Sequence, residues 1–483
     1  MQRMPNLRAV GIGLLFLLQE SLALSAGCRA MAQACADLTF KPGSAVYEYE
    51  KRHFWSNTRE PPKLHFSNMM LHRLTIPDVE ILNPSCIFIP TSAHQVSTAI
   101  NTIKSINGSF AVRGGGHTAI SGANSTDEDV LLVFSNRTEL ELSDQRSHVH
   151  LGPGLRWGEV YNALEPYDLT VAGGRVAPVG VPGLLLAGGI GFYSNKYGFS
   201  ANTVSSYEVV LADGRIVNAT ASNEYSDLFW PLKGGGPNFG LVTSFELQAI
   251  PSPRVFAGVL QFESSQFEAF FEAVAAYSVD IFDTKSHIIP IVGFARDDGT
   301  DEISSYAYIV LFYDDPDETE PGIFRRFLDI PNVGNTLSHQ TVANLAFETG
   351  KSYDDVISAW IEKTVQTIDS ATAEAGLHHP FRYMGDSAAF QVAEFFDGYP
   401  QGVAERLDNV ALKYDPDGFF QKNMPGGFKL SASKVSSNDG VGGVDGTESY
   451  DAGILKQGDG RVSGLHGFDV PLQRLKRECP CVG

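Results

Sequence analysis

At 483 residues the chain is long enough for two or three domains sharing a substantial core. Its 43% hydrophobic and 19% charged residues are those of an ordinary soluble globular protein. A formal net charge of -20 argues against nucleic acid and against anionic membrane surfaces as partners, whereas a small-molecule pocket can carry either sign.

In chain order, the first element is a signal-peptide pattern. Arg3 and Arg8 form a basic start, Ala9–Leu18 is a short apolar run, and Ala23, Ser25 and Ala26 offer small residues for cleavage. A membrane-spanning helix needs about 20 apolar residues, roughly twice this run, so an uncleaved anchor is the weaker alternative. No later stretch is long and apolar enough to span. The expectation is a signal at 1–26 and a soluble product that is secreted or lumenal in the secretory pathway, with no stable membrane insertion. Disulfides persist in that compartment, and the cysteines are Cys28, Cys35, Cys86, Cys479 and Cys481. Their odd number leaves at least one thiol free or intermolecular. Sequons at Asn107, Asn124, Asn136 and Asn218 agree with secretion and imply N-glycans.

From Cys86 onward strand and helix signals alternate. CIFIP reads as a buried strand, and 92–106 has helical spacing of apolar residues. FAVRGGGH is a strand entering a glycine loop; Val130–Phe134 and HVHLGPG are further strands, and Gly158–Leu164 looks helical. Two β-rich runs flank Asp213-Gly214, a strong hairpin signal, and Leu241–Ile250 resembles a strand closed by Pro251 and Pro253. From about 254 to 380 the texture changes, with more aromatics and acids. Gln261–Tyr277 and Tyr353–Ala375 are expected as amphipathic helices, VGFA and SSYAYIVLFY as strands. The Gly-, Ser- and Asp-rich stretch from Ser431 is expected as a poorly ordered tail.

The chemistry concentrates in three glycine clusters. In AVRGGGHTAISG (Ala111–Gly122), Gly114, Gly115 and Gly116 let backbone N–H groups converge on an anion, and a pyrophosphate is the natural guest. Arg113 either adds charge beside a phosphate or closes a surface pair; taken alone, the loop is equally readable as a tight structural turn. The second cluster, Gly173–Gly198, is too glycine-rich for a core helix and too apolar for a solvent loop, as expected of backbone packed against a large flat ligand. The third spans Lys233–Thr243. None is a dinucleotide-fold fingerprint, and no His or Cys near His117 has metal-ligand spacing, so no metal is expected.

These motifs, in this order, resemble the FAD-linked oxidoreductases of the vanillyl-alcohol oxidase/PCMH superfamily, and particularly the fungal berberine-bridge-enzyme-like branch. The resemblance runs from about Cys86 to Leu430. It rests on R-G-G-G-H (Arg113–His117), G-P-G-x-R-W-G (Gly152–Gly158), V-V-L-A-D-G-R (Val209–Arg215), D-L-F-W-x-L-K-G-G-G-x-N-F-G (Asp227–Gly240) and K-Y-D-P-D-G-F-F-Q (Lys413–Gln421). It implies an α+β fold in which a two-subdomain PCMH-type FAD-binding domain (82–253, after an N-terminal segment 27–81) is followed by an α+β substrate domain with an antiparallel sheet (254–380). A 381–430 segment then completes the FAD domain, ahead of the 431–483 tail. By the same resemblance His117 is bonded to the flavin 8α-methyl, while Arg113, Gly114, Gly115, Gly116, Thr118, Gly122, Gly174, Gly180, Gly183, Gly188, Gly189 and Val242 contact the cofactor. Cys35 is expected to pair with Cys86, with Cys28 as the competing partner.

Departures from the family pattern shape the expected chemistry. Val176 stands where some relatives carry a second flavin-linked cysteine, so the resemblance implies a single covalent link. Pro182 and Ala187 replace usual glycines. Gly385-Asp386 stands where the family has an Asn-Tyr pair, which leaves Asp386 as a speculative base, or as a solvated turn acid. The expected activity is hydride transfer from a small secondary-metabolite substrate to flavin, with O2 as oxidant. The rival readings are an oxidative cyclase and a secreted flavin-binding protein without turnover.

Overall fold

The computed structural model describes residues 24–52, 82–118, 120, 122–127, 129–280, 283–296, 303–346, 355–392, 395–400 and 402–430. The expected signal at 1–26 lies almost wholly outside them, as does the expected tail from 431.

Short apolar runs build the first sheet. The elements are α1 (Ala26–Ala34), β1 (Thr39–Phe40), α2 (Ala45–Arg52), β2 (Cys86–Phe88), α3 (Ala93–Ser105), β3 (Phe110–Arg113) and β4 (Val130–Val133). Strand order is β1-β2-β4-β3, with β1 antiparallel and the other three parallel. Every residue of β2 and β4 is buried because both faces of the sheet are covered, as a parallel sheet requires. Met31 of α1 with Ile100 and Ile103 of α3 covers one face, and Tyr47 of α2 covers Ile87 and Leu131 on the other.

The disulfide corrects the expected Cys35–Cys86 pairing: it joins Cys28 to Cys86, with Cα atoms 5.6 Å apart, and Cys35 is a half-buried free thiol. Cys28 sits with Gly27 and Met31 on the buried face of α1, whereas Cys35 is only the cap beyond the helix end.

The second sheet is antiparallel. It comprises β5 (Leu140–Leu142), β6 (His148–Leu151), β8 (Val204–Val210), β9 (Ile216–Thr220) and β10 (Leu241–Gln248), in the order β5-β6-β10-β8-β9. Between β6 and β8 the chain forms α4 (Trp157–Leu164), β7 (Leu169–Thr170) and α5 (Val181–Leu186), and after β10 a short β11 (Ile250–Pro251) pairs with β7. The Asp213-Gly214 hairpin forms as its sequence suggests, with Val210 opposite Ile216.

The third sheet contains β12 (Val255–Glu263), β13 (Ser286–Arg296), β14 (Ile303–Tyr313) and β15 (Gly334–Asn335), in the order β13-β14-β12-β15; α6 (Phe267–Asp280) follows β12. The helix expected from Gln261 therefore starts later. Residues 255–263 form a strand because both of its faces find apolar partners. Val255 and Ala257 join Ile289, Val310 and Phe312 in the core shared with the second sheet. Leu260 and Phe262, with Ala307, Ile309 and Leu311, pack instead on Phe270, Ala273 and Tyr277 of α6.

Helix α7 (Asp355–Glu374) occupies the second expected helical stretch, and α8 (Val403–Tyr414) and α9 (Phe419–Lys422) end the described chain. This last segment serves the cores of both the first and the second sheet. Phe395, Leu407, Val410 and Phe428 enter the second, Phe419, Phe420 and Met424 the first. Asn423 O accepts the Phe110 N–H at 2.7 Å. The Asp415 carboxylate accepts the first N–H groups of α9, from Phe419 at 2.7 Å and Phe420 at 2.8 Å.

Candidate active site

The glycine clusters meet because they lack side chains where they touch. Strand β3 delivers Gly114 and Gly115 against the start of α5. A Cβ on Gly115 would stand 2.4 Å from Gly180 Cα, and one on Gly114 would stand 2.5 Å from Pro182 Cγ. Farther along the loop, Gly122 lies against Gly426 of the C-terminal segment. The second cluster is fastened to α4: Trp157 N donates to Val179 O at 3.0 Å and Tyr161 Oη donates to Gly174 O at 2.6 Å. Gly174 also lies on the Trp157 indole, whose Nε1 is buried without a hydrogen-bond partner. The third cluster closes the ring. Gly236 N donates to Leu186 O, and Asn238 Nδ2 donates to Gly235 O and Phe428 O.

Gly188 and Gly189, with φ of 98° and 84°, turn the second cluster through backbone that an L side chain rarely adopts. The turn aims the Ile190 N–H at Tyr383 Oη, 3.2 Å away. Tyr383 stacks on Phe199, with ring centroids 6.2 Å apart. Burial pushes its phenol up to about 12, so it stays protonated and can donate.

His117 sits half-buried at the end of the RGGGH loop. Burial, seconded by the Arg156 guanidinium, lowers it to about 4, so the imidazole is neutral at physiological pH. Thr118 is exposed, and its Oγ1 accepts from Ile120 N at 3.2 Å. Val242 is buried in β10 opposite Val209. Gly116 follows its neighbours with a φ of 65°. Gly183 faces open space on α5, with nothing within 4 Å of where a Cβ would lie.

Arg113 is not in a surface pair. It is fully buried, its Nη2 donates to Glu50 O at 2.5 Å, and it lies 3.6 Å from the Glu50 carboxylate. It therefore locks α2 beneath the glycine loop. Asp386 is exposed, yet the groups packed around its carboxyl raise it, opposed by Arg175.

Two residues not singled out from sequence, Arg175 and His287, are also polar groups of this region. Arg175 directly follows Gly174, makes no hydrogen bond or ion pair among the described residues, and acts electrostatically on Tyr383, Asp386 and His287. His287, on β13, is buried, and its Nε2 has no hydrogen-bond partner. Arg175 stands in the quoted cluster, so its cationic character was available. A lone histidine in an apolar strand gave no such signal.

This donor set fits FAD. Glycine backbones converge from three segments, a neutral imidazole stands at the loop end, and a Cβ-free helix face borders open space. The FAD binding domain family matches residues 84–220. An FAD-dependent monooxygenase of Penicillium roqueforti is 28% identical over 503 aligned positions, covering 83% of this chain and 93% of its own. Another, from Arthrobotrys oligospora, is 39% identical over 254 positions, 52% of this chain and 47% of that one. Among solved structures, a variant of BBE-like 1 from Physcomitrella patens superposes with a TM-score of 0.65 at 15% identity, covering 84% of this chain and 99% of that one. The 6-hydroxy-D-nicotine oxidase of Arthrobacter nicotinovorans gives 0.63 at 18% identity, covering 80% and 96%. The chain thus carries an FAD binding domain at residues 84–220, is similar over most of its length to a fungal FAD-dependent monooxygenase, and shares the fold of the BBE-like and 6-hydroxy-D-nicotine oxidase structures.

Proposed function

We propose that this oxidoreductase is an O2-using oxidase that carries FAD on a single covalent bond to His117 and acts on a small secondary-metabolite substrate. The observation that carries the reading is the place of His117 at the end of the RGGGH loop, just past the Gly114 and Gly115 backbone that packs on Pro182 and Gly180; burial also favours its neutral imidazole, whose nitrogen lone pair such a bond needs. Gly114, Gly115, Gly116, Gly174, Gly180, Gly183, Gly188 and Gly189 would hold the cofactor by close backbone approach. The chemistry supplied by bound FAD is acceptance of a hydride from a substrate C–H. Around it, the Tyr383 phenol, held protonated by burial, donates a hydrogen bond to a substrate oxygen. Asp386, its carboxyl raised by crowding, takes the proton that leaves with the hydride. The apolar face of the third sheet excludes water.

Secretion is part of the proposal. The signal pattern supports it, and the Cys28–Cys86 disulfide suits that compartment. Asn136 and Asn218, both exposed, are the favoured N-glycan acceptors. The carbohydrate oxidase of Microdochium nivale, at TM-score 0.52, favours oxidase chemistry, whereas the fungal relatives are named monooxygenases. The test is acid precipitation of the purified protein. Yellow chromophore should stay with the wild-type pellet and be released from His117→Ala; release from both ends the covalent claim. Turnover under labelled O2 should yield hydrogen peroxide with no label in the product; incorporated label favours a monooxygenase.

A further inference from the structure

Tyr383 is held by three separate stretches of chain. Its Oη accepts the Ile190 N–H at 3.2 Å, from the turn that Gly188 and Gly189 make. Its ring lies nearly parallel to that of Phe199, with an interplanar angle of 12° and centroids 6.2 Å apart, within the range in which aromatic pairs attract. Its hydroxyl end is covered by Gly385: a Cβ there would stand 2.5 Å from Cε1, 2.6 Å from Cζ and 2.7 Å from Oη. That contact comes from the short helical turn at Met384–Asp386, where Asp386 N donates to Tyr383 O at 3.1 Å and Ser387 Oγ donates to it at 2.9 Å. Any side chain at position 385 would have to move the ring.

Phe199 is 40% exposed, yet its backbone is fastened. Ser200 N donates to Gly189 O at 2.7 Å and Ala201 N to Gly188 O at 2.8 Å, which ties the segment to the same turn that carries Ile190. Gly188 itself borders the Phe199 ring, where a Cβ would stand 3.7 Å from Cγ and Cδ1. The ring stack and the N–H bond thus come from one backbone-linked unit and fix the phenol at two points. A ring left partly in water returns only part of what a core phenylalanine contributes; what it does supply is a wall for the phenol. Among the described residues the Tyr383 oxygen accepts from Ile190 and donates to no protein group.

We propose that Phe199 and Gly385 are positioning residues for Tyr383: the Phe199 ring walls the phenol, and the Gly385 backbone leaves just the room its hydroxyl end needs on the Ile190 N–H. The protein thereby sets the place of the phenol before any substrate arrives, and its O–H is left for a substrate oxygen. Neither residue touches the reacting atoms; both act through Tyr383. The proposal rests on the reading of Tyr383 as hydrogen-bond donor to the substrate, and it involves no electron transfer.

The test needs no substrate. The flavin-loaded protein is prepared with carbon-13 at tyrosine Cζ, whose NMR shift reads ionisation of the phenol, and the Tyr383 signal is assigned by its loss in Tyr383→Phe. Flavin content is read from the visible spectrum, so an absent flavin exposes a failure of the functional reading separately. Wild-type Tyr383, pushed by burial up to about 12, should be only about 1% ionised near pH 10, where an ordinary tyrosine is half ionised. Phe199→Ala should raise that fraction about tenfold by letting water reach the phenol. It should also speed deuterium exchange at the Ile190 amide, whose bond to Oη is loosened. Phe199→Trp, which rebuilds an aromatic wall, should restore both readings, and Gly385→Ala should disturb both. Tyr47 on α2, likewise pushed by burial up to about 12, is the internal control and should not move. The proposal is overturned if Phe199→Ala leaves ionisation and exchange at their wild-type values, or if Phe199→Trp fails to restore them. It is equally overturned if Tyr47 moves in step, the mark of general loosening, or if folded Gly385→Ala behaves as wild type. Should Gly385→Ala not accumulate as folded protein, the Phe199 series decides alone.

Discussion

Gly115 and Gly180 lie backbone against backbone: a Cβ on Gly180 would stand 2.5 Å from Gly115 N, and one on Gly115 would stand 2.5 Å from Gly180 N. No side chain is there to move aside, so Gly115→Ala or Gly180→Ala must push the two loops apart. Each should cost at least about 1–3 kcal/mol, the range for overpacking a tight site, read as a lower urea midpoint. Gly183→Ala is the contrast, because its Cβ meets nothing. It should leave the melting temperature level or raise it, since alanine favours a helix by about 0.5–1 kcal/mol over glycine, yet lower the flavin content of the purified protein.

Much of this site was legible because it is local in sequence. Glycine runs between apolar strands announce close backbone approach wherever the chain goes afterwards, and the order of the motifs carried the α+β architecture. What stayed hidden depends on register and on faces. Arg113 read either as charge beside a phosphate or as half of a surface pair; that α2, more than sixty residues upstream, brings Glu50 beneath it was not legible. His287 is one polar residue in an apolar strand, and only the pairing with β14 sets it beside Phe312 on the inner face. The strand at 255–263 looked helical at its end because both of its faces are apolar, which removes the alternation that marks a half-exposed strand.

The disulfide gives a second prediction. Cys28 and Cys86 enclose a separation of 58 residues, for which the chain-entropy relation gives about 4 kcal/mol. Cys28→Ser should therefore lower stability by roughly that amount, while Cys35→Ser should change it little, since among the described residues Cys35 has no disulfide partner and it lies past the end of α1. Denaturant curves of the two variants, with thiol mapping of the wild type under non-reducing conditions, check both halves. Alkylation of Cys35 and not of Cys28 is the expected map.

Asp386 separates a base from a turn acid. Crowding raises its carboxyl and Arg175 pulls the other way, so its ionisation should appear as an acid limb of kcat/KM lying above the ordinary carboxylate range. Asp386→Asn should lower kcat by about a hundredfold or more, a usual contribution of a general base, and should abolish that limb. A variant with unchanged kcat and an unchanged limb would return the residue to a structural role.

His287 also ties the site to stability. Burial, with Arg175 adding to it, lowers the imidazole to about 4 from an ordinary 6.5. In the unfolded chain it takes up a proton as pH falls through 6.5; in the folded protein it does so only near 4. Between those values the unfolded state holds more protons, so stability falls as pH drops from 6.5 to 4 and is level in this respect on either side. At about 1.4 kcal/mol per unit the loss is on the order of 3 kcal/mol for this group. His287→Phe removes the imidazole without removing the bulk. Its urea midpoint should decline less than that of wild type between pH 6.5 and 4, while the two should run parallel from pH 7 to 8. Parallel declines over the acid range would show that the imidazole is not held neutral by the fold.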